Sequence, residues 1–393
     1  MSRAAPWDVA VIGAGVVGAA AALALSREGL RVAIVEAHEP SAWRSDAPDL
    51  RVYAFAPDSQ ALLDALGVWP SIVAARAHPY RRMRVRDAAG GGELSFDADD
   101  LGRSYLGHIV EHGLLVDRLW LAVGRERSIS RHCPDKLLSL VQDESGVTIE
   151  LASGASLRAR LVVGADGATS KVRELAGLAS DNHDYEQRGL VAYVRCEKTH
   201  EDTAWQRFLP SGPLAFLPCA DGRCSIVWTL PTADAERLLT LDDDSFRREL
   251  TRAFDARFGE VTEVSARVAF PLRRQLASEM LAGRIALIGD AAHAVHPLAG
   301  QGVNLGLRDV TALRDLVRAA RTAGSEFDSP HRLARWARTR TSENAVAAYS
   351  FETINRVFSN DAVLPTLLRG HVLGLAGKFP PLAQFLWKRA AGV

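Results

Sequence analysis

The stretch that decides the fold is residues 284–309, RIALIGDAAHAVHPLAGQGVNLGLRD. It opens on the short apolar run Ile285–Ile288, the signature of a buried parallel strand. Gly289-Asp290 ends the strand and leaves a carboxylate at its carboxyl end, where open α/β sheets bind their ligands. A loop with Pro297 follows, then Gly300-Gln301-Gly302. After it comes an apolar stripe at helical spacing: Val303, Leu307, Val310, Leu313 and Val317. A glycine-lined helix start presents free backbone N–H groups and the positive end of a helix dipole, a setting that suits an anion or an electron-rich carbonyl. In isolation, a tight structural turn would read the same way.

The amino end removes much of that ambiguity. Val9–Ile12 reads as a buried strand, and residues 13–18, GAGVVG, are G-x-G-x-x-G. An Ala/Leu helix runs to Arg27, Gly29 can cap it, and a second strand from Arg31 to Val35 ends on Glu36. This is a whole βαβ unit. Gly13 permits the tight turn, Gly15 lets backbone approach a pyrophosphate, and Gly18 lets helix pack on strand. Glu36 is placed to accept bonds from ribose hydroxyls. The unit predicts a dinucleotide site without choosing between NAD and FAD.

Composition agrees with a globular enzyme. The chain has 393 residues, with 47 Lys+Arg against 47 Asp+Glu. Charge therefore gives no reason to expect a nucleic-acid partner. Cys133, Cys196, Cys219 and Cys224 lack paired metal-ligand spacing, so no metal site is expected and reduced thiols in a cytoplasmic protein are. The apolar amino end is interrupted by Asp8 and carries the nucleotide glycines, which argues against an export signal. No apolar run reaches the roughly 18–20 residues of a membrane span.

Between these landmarks, Asp49-Leu50-Arg51 precedes a helical stretch from Ser59 to Leu66. An arginine there can neutralise phosphate, although an unpaired surface Arg is commoner. Residues 81–96 alternate around Gly90-Gly91-Gly92 and predict a hairpin; residues 111–123 predict a helix. A strand ending at Val163 delivers Asp166-Gly167 to its carboxyl end, with a solvated turn as the equal alternative. Residues 190–196, 204–209, 214–217 and 224–230 read as short strands, and residues 244–258 as a charged amphipathic helix. They predict an antiparallel sheet inserted into the nucleotide fold, with a substrate pocket between sheet and cofactor. The tail beyond Arg318 reads as helical. Its last part, residues 363–387, suits a packed helix pair or an interfacial surface for membrane or partner.

The ordered motifs GAGVVG…E, LVVGADGATSKVR and RIALIGDAAHAVHPLAGQGVNLGLRD resemble the class A flavoprotein aromatic hydroxylases. HPLAGQGVNLGLRDV resembles more narrowly the ubiquinone-biosynthesis hydroxylases, which act on polyprenylated phenols. The resemblance covers residues 8 to about 349. It implies a para-hydroxybenzoate hydroxylase fold: an α/β, Rossmann-like FAD-binding domain in segments 1–75, 101–182 and 275–335, an antiparallel substrate domain in 76–100 and 183–274, and a helical region over 336–393.

The resemblance also implies roles. Gly13, Gly15 and Gly18 hold the FAD pyrophosphate, Glu36 the adenosine ribose, and Arg51 the flavin chain. Asp290 takes the ribityl hydroxyls, and Pro297 lies near the flavin's reactive edge. Gly300, Gln301, Gly302 and Asn304 take the pyrimidine side of the isoalloxazine, while Asp166 shapes FAD and NAD(P)H binding. One region departs from the family pattern. Where these hydroxylases place amide side chains beside the FAD chain, this sequence has His112 and Val116.

The implied activity is hydroxylation of an apolar phenolic substrate with NAD(P)H and O2, on the way to ubiquinone. Peripheral association with the inner membrane, or with a multi-enzyme complex, is part of the same expectation. A soluble phenol as substrate, reduction of prenyl double bonds, and a flavin-free binding module are the other readings. His293 and His296 read as packing or hydrogen-bonding residues, and no catalytic acid or base is named.

Overall fold

The computed structural model describes residues 6–88, 93–295 and 302–358. Pro297, Gly300, Gln301, His296, the glycine turn at 90–92 and the stretch 363–387 lie outside the described residues.

Trp7–Ile12 lies at the centre of a mainly parallel sheet. Its neighbours are Val32–Val35 on one side and Ser156–Gly164 on the other, and Ile285–Leu287 pairs in parallel beyond the latter. The four residues Val9–Ile12 are almost wholly buried. Burial on both faces accounts for a continuous apolar run in place of alternation. The helix Val16–Arg27 is buried nearly all round, and its alanines let it pack tightly between the helices His112–Arg125 and Gly302–Thr322.

A nine-stranded sheet forms the second layer. Its long strand, Ser180–Cys196, pairs antiparallel with Cys224–Pro231 and Val268–Ala277. Gly212–Pro218 and Thr203–Leu209 follow. Arg82–Asp87 then pairs with Thr203–Leu209 in parallel, and Glu93–Asp97 completes the expected hairpin. That parallel pair departs from the purely antiparallel expectation. Leu190, Phe216, Ile226 and Trp228 on one face pack on Phe246, Leu250 and Phe254 from the helical side. The expected helix over residues 244–258 runs Asp243–Ala253, started by the Asp242 carboxylate accepting from Ser245 N at 2.8 Å. A small three-stranded sheet, Val52–Phe55, Gly107–Glu111 and His78–Tyr80, lies beside the nucleotide layer. Among the described residues, no helix is long and apolar enough to cross a membrane.

One buried polar network ties the carboxyl-terminal helices to the rest. Asp309 is fully buried. One carboxylate oxygen lies 2.6 Å from His293 Nε2 and accepts from Gly289 N at 3.0 Å. The other accepts from Arg340 Nε at 2.8 Å and Asn344 Nδ2 at 3.1 Å. Burial works against ionisation here, but His293, Arg340 and the Gly289 amide outweigh it and hold Asp309 below the usual carboxylate range. Arg340, only 4% exposed, sits on the long helix Pro330–Phe358. Asp309→Ala removes the buried one of Arg340's two carboxylate partners, leaving only the exposed Glu343, and strips His293, Gly289 N and Asn344 of their acceptor, so we expect a loss of about 3–5 kcal/mol. Urea denaturation of wild type and variant measures it, and equal midpoints would show that the network carries no stability.

Candidate functional site

Three strand ends open into one cavity of about 1030 Å³ that runs from the nucleotide loop to the open face of the nine-stranded sheet. Gly13, Gly15, Glu36, Arg51, His112, Asp166, Asp290 and Gly302 all line it.

In the first loop each glycine answers a different demand. Gly13 has φ +101°, and a Cβ there would sit 2.4 Å from Ala165 O. A Cβ on Gly18 would lie 2.0 Å from Gly13 O. A Cβ on Gly15 would meet nothing within 4 Å, because that position faces open space. Gly15 also stands at the N-cap of Val16–Arg27 with no side chain capping it. The helix start is therefore available to an anion. The Glu36 carboxylate accepts from Ala14 N at 2.6 Å and from His38 N at 3.1 Å, so it anchors the loop while lining the cavity.

The second strand end is built differently from the first. Asp166 accepts from Ser170 Oγ at 2.5 Å, Lys171 N at 2.7 Å and Val172 N at 3.1 Å. Its carboxylate holds the start of the short helix Lys171–Leu175, and residues 165–169 line the cavity.

At the third, Asp290 follows Gly289 (φ +57°) and has no protein hydrogen-bond partner among the described residues. The residue is exposed and lines the cavity. Crowding by protein raises its pKa above the ordinary value, against the pull of His293 and Arg51. Exposed in the open cavity and without a protein donor, this carboxylate is free to accept from the hydroxyls of a ligand. Gly302, where Gly302–Thr322 begins, also has open space at its Cβ position.

Other expected residues take different places. Asn304 is fully buried, accepts from Ala56 N at 3.0 Å and donates to Ala54 O at 2.9 Å. Its side chain thus fixes the strand Val52–Phe55, and Asn304 is not among the residues lining the cavity. Val116 packs on the core. His293 is 1% exposed, bonded to Asp309 and absent from the cavity lining. Arg51 lies over the Phe270 ring, 5.7 Å from its centroid. His112 Nδ1 is 3.0 Å from the Tyr53 hydroxyl. Burial, reinforced by Arg51, pushes His112 down to about 4, and burial pushes Tyr53 up to about 12, so the pair is neutral at pH 7. Tyr53 was missed because a tyrosine in a four-residue strand carries no motif. Away from the cavity, His78, His200 and Asp202 gather. Both ring nitrogens of His200 already have partners there, the Cys219 carbonyl at 3.1 Å and the Asp202 amide at 3.2 Å.

The model of the FAD binding domain family matches residues 6–340. The chain belongs to the FAD-dependent aromatic hydroxylases. The 3-demethoxyubiquinol 3-hydroxylase of Escherichia coli (strain K12) is 38% identical over 371 residues, which is 94% of this chain and 94% of that protein. Ubiquinone hydroxylase UbiL of Rhodospirillum rubrum is 36% identical over 386 residues, 98% of this chain and 89% of that protein. In fold, the chain resembles p-nitrophenol 4-monooxygenase PnpA from Pseudomonas putida DLL-E4, with TM-score 0.79, 22% identity and 98% of each chain covered.

FAD is therefore the cofactor, and the residues present fit it. The open positions at Gly15 and Gly302 and the donorless Asp290 offer the space and the hydroxyl acceptor that such a group needs. Gly15→Ala should leave the cofactor-free protein within about 1 kcal/mol of wild type yet weaken FAD binding at least about tenfold, since its Cβ enters ligand space. Gly18→Ala should instead destabilise the fold itself, by about 1–3 kcal/mol. Thermal melts with and without FAD separate the two, and identical behaviour would refute the division of labour. Asp290→Ala should keep the fold while FAD affinity drops about ten- to a hundredfold; an unchanged dissociation constant by fluorescence titration would remove Asp290 from the cofactor site.

Proposed function

We propose that the protein hydroxylates the aromatic ring of a polyprenylated phenol in ubiquinone biosynthesis, using NAD(P)H and O2. The observation that carries this reading is the single cavity joining a dinucleotide loop to an apolar sheet face. Its far end is lined by Val191, Ala204, Ala215, Leu217 and Val227. An apolar chamber of this kind suits a ring bearing a hydrocarbon chain better than a charged soluble phenol. The names of the two bacterial relatives point the same way.

When bound, FAD supplies the electron-transfer and oxygen-activating chemistry. The protein's own residues bind, orient and keep water out. Gly13, Gly15 and Gly18, with the start of Val16–Arg27, hold the pyrophosphate; Glu36 takes ribose hydroxyls and Asp290 ribityl hydroxyls. Arg51 and the neutral His112, steadied by Tyr53, would flank the connecting chain, His112 standing where the family has an amide. The start of Gly302–Thr322 would set a positive helix end beside the pyrimidine, worth about 0.3–2 kcal/mol toward a negative charge there. The apolar far wall limits water, which protects the oxygen-transfer step from wasteful release of peroxide. A substrate with such a chain resides in a bilayer, so this reading places the working protein at a membrane surface or in a complex that delivers the lipid.

The test is oxygen uptake by the FAD-loaded protein with a prenylated phenol and NADH or NADPH. We expect uptake that depends on the phenol and a product one oxygen atom heavier by mass. Consumption of NAD(P)H with saturation of the prenyl chain and no oxygen uptake would establish a reductase instead.

A further inference from the structure

The cavity-facing lane of the nine-stranded sheet is almost entirely small and apolar. Reading across the strands, one row runs Gln206, Ala215, Val227, Val191, and beside it Pro213, Thr229 and Gly189 also line the cavity. Gln206 and Thr229 interrupt it with polar groups. Gln206 is 8% exposed and lines the cavity, while its neighbours in sequence point elsewhere: Trp205 packs on Phe258 and Arg207 donates to Ala253 O. Among the described residues, no protein group hydrogen-bonds the Gln206 carboxamide. A carboxamide carries two donor hydrogens and an acceptor oxygen, and here they face the cavity without a protein partner. No packing need places it there, because Leu or Met would fill a similar volume.

We propose that Gln206 is a substrate-positioning residue whose carboxamide hydrogen-bonds the oxygen substituents of the aromatic ring. Its oxygen accepts from a phenol hydroxyl, and its N–H donates to an adjacent ring oxygen. Side-by-side donor and acceptor on one planar group match two neighbouring oxygens on one planar ring. Orientation follows: the oxygenated edge of the ring meets the sheet, and the hydrocarbon chain lies along the small apolar lane. Gln206 thus selects oxygenated rings over bare hydrocarbon and sets which ring carbon faces the cofactor end. This proposal rests on the reading of the substrate as a phenol.

The experiment uses FAD-loaded wild type, Gln206→Leu, Gln206→Met and Thr229→Val. The probes are a prenylated 2-methoxyphenol and prenylbenzene, which lacks both ring oxygens. Affinities come from perturbation of flavin absorbance, and flavin content reports folding. Wild type should prefer the oxygenated probe by about tenfold or more, the value expected of one or two hydrogen bonds in a dry site. Both Gln206 variants should keep FAD and lose most of that preference, because the comparison isolates the one contact. With the methoxyphenol as substrate, their product per NAD(P)H should also fall as the ring loses its orientation. Variants that retain the preference overturn the proposal, and Thr229→Val losing it instead assigns the contact to Thr229. A wild type that hydroxylates no phenol overturns the functional reading, and this proposal with it. Should one Gln206 variant lose flavin, the other decides.

Discussion

Three hydrogen bonds carry the parallel ladder one residue past the strands, and the cavity depends on them. Gly13 N donates to Val35 O at 2.8 Å, Ala165 N to Ile12 O at 2.8 Å and Ile288 N to Gly164 O at 2.9 Å. In each case the first residue of a loop bonds to the last residue of the neighbouring strand. Three loops from distant parts of the chain therefore begin side by side at strand spacing, about 5 Å apart. Backbone brought this close leaves no room for Cβ atoms, so Gly13 and Gly18 follow from the register. Gly15 is different, since what it leaves open is the cavity.

The third loop needs more than its strand to hold it, because Ile285–Leu287 is only three residues long. Two further ties supply the rigidity. His293–Ala294 pairs with Gln275 and Leu276, which stitches the loop to the nine-stranded sheet. Asp309 then binds Gly289 N and His293 together and fastens both to Arg340 and Asn344. Asp290 lies between these anchors, held simultaneously to the layer that bears the nucleotide loop and to the layer that bears the apolar lane. A displacement of either sheet moves the carboxylate, so cofactor and substrate geometry are set together.

This arrangement was legible in the sequence to different depths. The βαβ unit could be read because a strand, three spaced glycines, a helix and an acid each follow from backbone sterics within 30 or so residues. The sheet strands could be read from β-branched and aromatic alternation. The Asp309 network could not: Asp309 looks like one more polar residue ending a motif, and Arg340 and Asn344 reach it only through the packing of a second helix. Asp166 and Asn304 were visible as motif residues, but motif membership does not say which way a side chain points. One caps its own helix and the other braces a neighbouring strand. The parallel pairing of Arg82–Asp87 with Thr203–Leu209 is likewise a long-range choice that no local pattern specifies.

The two faces of the nine-stranded sheet show how one alternating pattern encodes both a core and a vacancy. Leu190, Phe216, Ile226 and Trp228 fill the helix-covered face, while Gly189, Val191, Ala215 and Val227 occupy the other. Larger side chains on the second face would bury more apolar surface, at about 25 cal/mol per Å². A chain optimised for stability alone would take that gain and close the cavity. Small residues on every strand of the lane, beside a carboxamide without a protein partner, forgo it. The stability left unclaimed is best understood as volume and hydrogen-bonding capacity held for a ring that arrives from outside.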